Sequence, residues 1–139
     1  MESMETKKTQ EQIVVDNFKN WEDALKAKDI EKIVRLYSNK HVLFLPTFSD
    51  KLVNNLEGVR DYFIHFFEKN PEVISKKGEF IFSPDESSYT HVGMYDFEVD
   101  DENGSRKVVN ARFTYNWEKS ADDNWKIIHH HSSATPQAH

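Results

Sequence analysis

The sequence of 139 residues contains no cysteine, so it can form no disulfide, thiol nucleophile or thiolate metal site, and we expect a reducing compartment. It also lacks a cluster of Lys and Arg and has a net charge of -6, which argues against nucleic-acid binding. Its longest aliphatic and aromatic run, residues 42–45, is too short to span a bilayer, and residues 1–10 lack the apolar stretch of a signal peptide. These absences predict a cytoplasmic protein that binds neither nucleic acid nor membrane.

Aromatic residues are abundant, with ten Phe, five Tyr and three Trp. Each buried ring removes about 150–250 Å² from water. The length suits one domain, because typical domains run to about 100–150 residues. We therefore expect one core built mainly from rings.

The first half of the chain shows helical periodicity in three segments. The first segment spans about residues 11–28, and Asp29 is typical of the N-cap of a short second helix. The third covers about residues 57–69 and is ended by Pro71, which disfavours helix in the residue before it. The stripe of the first consists of Val14, Phe18, Trp21 and Leu25. The stripe of the third consists of Val59, Tyr62, Phe63, Phe66 and Phe67.

The second half shows the period of two that is typical of strands. Four strands are predicted after Pro71: one around Phe80 and Phe82, then 89–99, 107–118 and 125–133, in addition to a β-type run at 41–45. The prediction is an α+β domain at residues 10–136, with three N-terminal helices on one face of a curved antiparallel sheet and tails at 1–9 and 137–139. The other sheet face needs a partner or water.

Several segments resemble the association (hub) domain of calcium/calmodulin-dependent protein kinase II. The last strand, residues 124–136 with its three histidines, is similar to the closing strand of that domain, and residues 56–58 followed by the aromatic helix 62–67 are similar to its Glu-Gly step. Residues 45–47, 60–63 and 111–114 also resemble free-standing bacterial members of the SgcJ/EcaC type. The resemblance implies the cone fold of the NTF2-like and SnoaL-like superfamily, with dimers formed by packing sheets and rings formed from dimers.

Alternation places His129 and His131 on one face of the last strand, and His130 on the other with Ile128 and Ser132. We expect the pair to lie in a sheet-to-sheet interface. A metal site would need a third ligand, so none is predicted. The predicted interface residues are Arg112, Thr114, Asn116, His129 and His131.

Arg112 has two interpretations. Its guanidinium either pairs with a carboxylate or clamps an anionic ligand, and a bulge would move it to the other sheet face. The resemblance implies a pocket inside the cone. The arginines that hold a small carboxylate in animal hubs are replaced here by Tyr95, Tyr115 and Ser132, so the expected ligand is neutral or aromatic. The predicted pocket residues are Trp21, Tyr62, Phe66, Tyr95, Phe113, Tyr115, Trp117, His130 and Ser132.

The predicted function is a self-assembling, hub-like protein with a ligand pocket and no cofactor. The alternative is a small-molecule enzyme of isomerase, cyclase or oxidoreductase type, because related cone folds pair a carboxylate or His base with a Tyr donor. The candidates for proton transfer are Tyr95, Asp96, Tyr115 and His130. They form no complete acid-base set, since Asp96 should face away from the adjacent Tyr95.

Overall fold

The computed structural model describes residues 8–136, so residues 1–7 of the predicted tail at 1–9 and the whole predicted tail at 137–139 lie outside this range. The described residues form three helices and five strands. They are α1 (Gln10–Lys26), α2 (Ile30–Arg35), β1 (Leu43–Leu45), α3 (Leu56–Phe67), β2 (Glu72–Phe82), β3 (Ser88–Asp100), β4 (Arg106–Lys119) and β5 (Trp125–Ala134). No helix in residues 8–136 is both long enough and apolar enough to cross a membrane.

Each helix is preceded by a polar N-cap residue, whose side chain accepts a hydrogen bond from a free backbone N–H of the first turn. Thr9 and Gln12 form a capping box at α1. Asp29 caps α2, as the sequence predicts, by accepting from the Lys32 amide. Asn55 caps α3 by accepting from the Gly58 amide at 2.7 Å.

The strands form one sheet in the order β1-β5-β4-β3-β2. β2 to β5 are antiparallel neighbours, as predicted, whereas β1 adds to the far side of β5 in parallel. β2 begins at Glu72, well before Phe80, and is mostly exposed. Exposed residues such as Lys76 and Lys77 are typical of an edge strand. Because these residues break the apolar alternation, the sequence pattern predicted only the end of β2.

The helices cover one face of the sheet, which we call the inner face; the opposite face is the outer face. Alternate residues of β4 are buried against the helices, as predicted, and β3 follows the same pattern. The buried rings that meet there are Trp21, Phe63, Tyr95, Phe97, Phe113, Tyr115 and Trp117. The core is therefore a layer of packed rings between the helices and the inner face.

A β-bulge in β5 changes which isoleucine faces the core. Asn116 pairs with His129 and Trp117 with Ile127, so Ile128 has no partner in the β4 ladder. The expectation that Ile128 shares a face with His130 is wrong, because Ile127 is the buried neighbour. An extra residue in one strand shifts the alternation, and the sequence pattern does not reveal where this occurs.

Candidate functional site

His130 lies at the centre of the inner face and is only 2% exposed. Its imidazole is stacked between the rings of Tyr115 and Phe44, with centroid distances of 4.0 and 4.9 Å. β5 supplies His130, while β4 and β1, its two neighbours in the sheet, supply the flanking rings. The parallel pairing of β1 with β5 thus closes one side of this site.

A chain of hydrogen bonds runs through His130. Trp21 Nε1 donates to the Tyr37 hydroxyl at 3.1 Å, and this hydroxyl lies 2.9 Å from His130 Nδ1. On the other side, His130 Nε2 lies 3.2 Å from the Tyr95 hydroxyl, which donates to Ser132 Oγ at 2.6 Å. Ser132 is in turn hydrogen-bonded to Thr47.

One arrangement of protons satisfies this chain throughout. The indole of Trp21 can only donate, so the Tyr37 oxygen accepts from it and donates its own proton to His130 Nδ1. Nε2 of His130 then carries the ring proton and donates a hydrogen bond to the Tyr95 oxygen. Burial, with a smaller effect of His129 and His131, lowers the pKa of His130 well below its ordinary value, so the ring is neutral at neutral pH.

The space around this chain is almost completely filled. The remaining cavity is about 10 Å³, and six of the nine predicted pocket residues line it. They are Trp21, Tyr62, Phe66, Tyr95, His130 and Ser132. Tyr115 and Trp117 are packed into the core, and Phe113 lines a different groove. A single water molecule needs about 10–15 Å³, so no substrate fits beside His130.

Asp96 lies on the outer face, away from the other predicted proton-transfer residues. Its carboxylate accepts from Ser75 at 2.7 Å and from Asn110 at 2.6 Å. These two hydrogen bonds lower its pKa. As the strand alternation implied, Asp96 therefore lies on the opposite face from Tyr95, Tyr115 and His130.

All five predicted interface residues lie on the outer face or its margin, where no described helix covers the sheet. Arg112 is exposed there and forms no salt bridge within residues 8–136, so the first of its two interpretations is not supported. The register aligns Val92, Thr114, His131 and Leu45 in one row across four strands. His129 donates from Nδ1 to the Leu43 carbonyl at 3.0 Å. In the described part of the chain, no three His, Asp or Glu side chains are placed to hold a metal.

A second region was missed by the sequence reasoning. A groove of about 520 Å³ lies between α1 and β2, and we call it the α1–β2 groove. Its lining includes Phe18, Phe113 and His91, and His91 is 9% exposed. Alternation in β3 places His91 on the same face as Tyr89 and Tyr95, so the signal was present in the sequence.

His91 contrasts with His130 in its hydrogen bonding. Its Nδ1 atom is buried and has no hydrogen-bond partner among the described residues. Burial, with a smaller contribution from Lys76, lowers its pKa to about 4, so this ring is also neutral at neutral pH. The α1–β2 groove therefore presents a neutral imidazole surrounded by aromatic rings.

Comparison with known proteins identifies the family. The sequence model of the calcium/calmodulin dependent protein kinase II association domain matches residues 10–136. A protein of that description from Xanthomonas campestris is 32% identical, with a TM-score of 0.86 over 94% of this chain and 91% of that one. Among curated proteins, no match was found.

More distant structures share the fold alone. The CaMKII hub of S. rosetta is 14% identical, with a TM-score of 0.72 over 94% of this chain and all of that one. A dehydratase of the NTF2-like family from Streptomyces avermitilis is 11% identical, with a TM-score of 0.77 over 91% of this chain and 96% of that one. The predicted NTF2-like cone is confirmed, and the chain belongs to the calcium/calmodulin-dependent protein kinase II association domain family.

Proposed function

We propose that this protein is an association module that pairs with a second copy of itself through the outer face of its sheet. The observation that carries the proposal is the row of Val92, Thr114, His131 and Leu45 on that face. Val92 is 44% exposed although it lies on β3, an interior strand of the five-stranded sheet. Apolar side chains in such a position are typical of an interface.

The composition around this row also favours a protein partner. Met94 and Leu43 are further apolar side chains that are left exposed on this face. They alternate with Arg112 and Thr114, which have donors for hydrogen bonds across an interface. Stable interfaces bury apolar side chains at their centre and place polar groups around them. Two copies related by a twofold axis would place this face against itself, as cyclic dimers require.

The family supports the same proposal. The S. rosetta relative is described as a hub, and the X. campestris relative as an association domain. Dimers of this kind could assemble further into rings, as the resemblance implies. The number of copies depends on the angle between dimers.

The test is the solution mass measured by light scattering at micromolar concentration. We expect at least twice the 16.4 kDa of one chain. Thr114→Arg places a charge at the centre of the row, and it should reduce the mass to that of one chain. Val15→Arg is the matched control, because Val15 is an exposed valine on α1, away from the outer face. A wild-type monomer, or equal masses for the two variants, would contradict the proposal.

The ligand expected inside the cone has no room beside His130, where the cavity is about 10 Å³. The hydroxyls of Tyr95 and Tyr115 are also poor acids there, because burial raises their pKa. We therefore propose no reaction at His130.

A further inference from the structure

The α1–β2 groove has the size and walls of a small-molecule site. Its volume of about 520 Å³ falls within the range of about 300–1,000 Å³ that is usual for ligand pockets. Val14 and Phe18 of α1 form one wall, and Phe80 of β2 forms the other. His91 and Phe113 lie between them on the sheet, with ring centroids 5.0 Å apart. The groove thus combines apolar walls with one polar ring.

His91 lacks the hydrogen bonds that a buried polar side chain normally makes. Nδ1 has no partner among the described residues, whereas both ring nitrogens of His130 are hydrogen-bonded. Nε2 of His91 faces Gly78, another groove residue, and would lie 3.1 Å from a β-carbon at that position. A β-carbon there would also collide with the backbone carbonyl of Val92, so glycine at position 78 allows β2 and β3 to approach closely beside this nitrogen.

Six of the eight charged residues that line the groove form ion pairs, and the other two, Glu11 and Lys77, are of opposite sign. Lys76 of β2 reaches Glu22 of α1 at 2.7 Å, and its ammonium lies 5.2 Å from the centre of the Phe18 ring. The other two pairs are Lys19 with Asp23 and Lys26 with Glu72. A charged ligand would have to compete with these pairs, so the groove favours an uncharged one.

We propose that the α1–β2 groove binds a small, neutral aromatic molecule whose hydroxyl group hydrogen-bonds to His91. A hydroxyl group both donates and accepts, so it suits either tautomer of a neutral imidazole. The aromatic part of the molecule would contact Phe18, Phe80 and Phe113, where edge-to-face contacts are favourable. This site is separate from the outer face, and it requires no particular oligomeric state.

The test uses 2-naphthol and naphthalene, which differ only in the hydroxyl group. Binding is followed by amide chemical shifts in two-dimensional NMR of the assigned protein. We expect 2-naphthol to bind the wild type about fivefold more tightly than naphthalene, because the net contribution of one hydrogen bond is about 1 kcal/mol. The shifts should be concentrated in α1, β2 and β3. In His91→Phe the two affinities should become equal.

A second pair of variants tests the location without changing the core. Val15 lines the groove and is exposed, so Val15→Trp should narrow the groove and lower the affinity for both probes at least fivefold. Ile64→Trp is the control, because Ile64 is a similarly exposed apolar residue of α3 outside the groove and away from the outer face, and it should change neither affinity. Failure of 2-naphthol to bind would overturn the proposal. So would shifts confined to the outer face, or an unchanged affinity ratio in His91→Phe.

Discussion

His130 and His91 lie on the same inner face of the sheet, yet their surroundings differ. Both are buried, and burial lowers the pKa of both. His130 is enclosed on all sides and bonded at both ring nitrogens. His91 lies beside an open groove of about 520 Å³ with Nδ1 unbonded. The same residue type in the same sheet thus meets two different environments.

The difference separates a structural role from a binding role. A buried polar group that is fully hydrogen-bonded helps to specify one packing arrangement of the core. A buried polar group without a partner destabilises the folded state unless a ligand or a water molecule supplies the missing contact, and His91 borders a groove that can admit one. We therefore assign His130 to the core and His91 to the α1–β2 groove.

The largest expected effect comes from His130→Phe. The new ring keeps the stacking on Tyr115 and Phe44 but removes one of the two hydrogen bonds of each buried hydroxyl, that of Tyr37 and that of Tyr95. The Tyr37 proton then has no acceptor, which costs about 1–3 kcal/mol, and the lost bond of Tyr95 costs about 1 kcal/mol, so we expect the free energy of unfolding to fall by about 2–4 kcal/mol. Urea unfolding measures the change. A loss below about 1 kcal/mol would mean that the hydrogen-bond chain contributes little to stability.

The next effect is a dependence of stability on pH that His91 contributes. The pKa of this ring is about 4 in the folded state and 6.5 as its ordinary value, so the unfolded chain binds the proton more tightly. Stability is therefore lost as the pH falls from about 6.5 towards 4, by up to about 1.4 kcal/mol per pH unit. No loss from this residue is expected above pH 7.

The measurement compares urea unfolding of the wild type and His91→Phe at several values of pH. The difference in stability between them should grow steadily below pH 6.5, in favour of the variant. Other titrating groups, including Asp96, are common to both proteins and cancel in the difference. Parallel stability curves would show that His91 is not kept neutral by the fold.

The smallest effect is that of His91→Phe at pH 7.5. The substitution replaces a buried polar ring with an unbonded nitrogen by an apolar ring of similar shape. It should therefore raise the free energy of unfolding by up to about 1 kcal/mol. This contrasts in sign with His130→Phe under the same conditions. A loss of more than about 1 kcal/mol would indicate a structural partner for His91, and it would remove the distinction between the two histidines.

The sequence predicted the helices and most strands because their signals are local. Asp29 caps α2 and the rings of β4 alternate inward, since one turn or one strand is enough to produce these patterns. The parallel pairing of β1 with β5 was not predicted, because it joins Phe44 to His130 across a long stretch of chain. The bulge at Ile128 was missed for a related reason, since it is visible only in the register with β4.

The candidate site was predicted in part. Tyr95, His130 and Ser132 were placed in one pocket, and the structure shows them hydrogen-bonded in one chain. That this space is filled depends on Phe44 and Phe63, which come from β1 and α3 and whose rings stack at 5.8 Å. Whether a cavity remains depends on the combined volume of side chains from distant segments, and no local sequence pattern predicts that volume.

The sequence by itself determined the α+β class, the aromatic core and the family, because composition, periodicity and motifs are properties of the chain. Only the tertiary structure decided that the space beside His130 is closed and the groove beside His91 is open. The physical reason is that packing and hydrogen bonding depend on contacts between segments that are distant in the sequence. His130 meets Tyr37 and Tyr95 there, whereas β2 leaves a groove between itself and α1 next to His91.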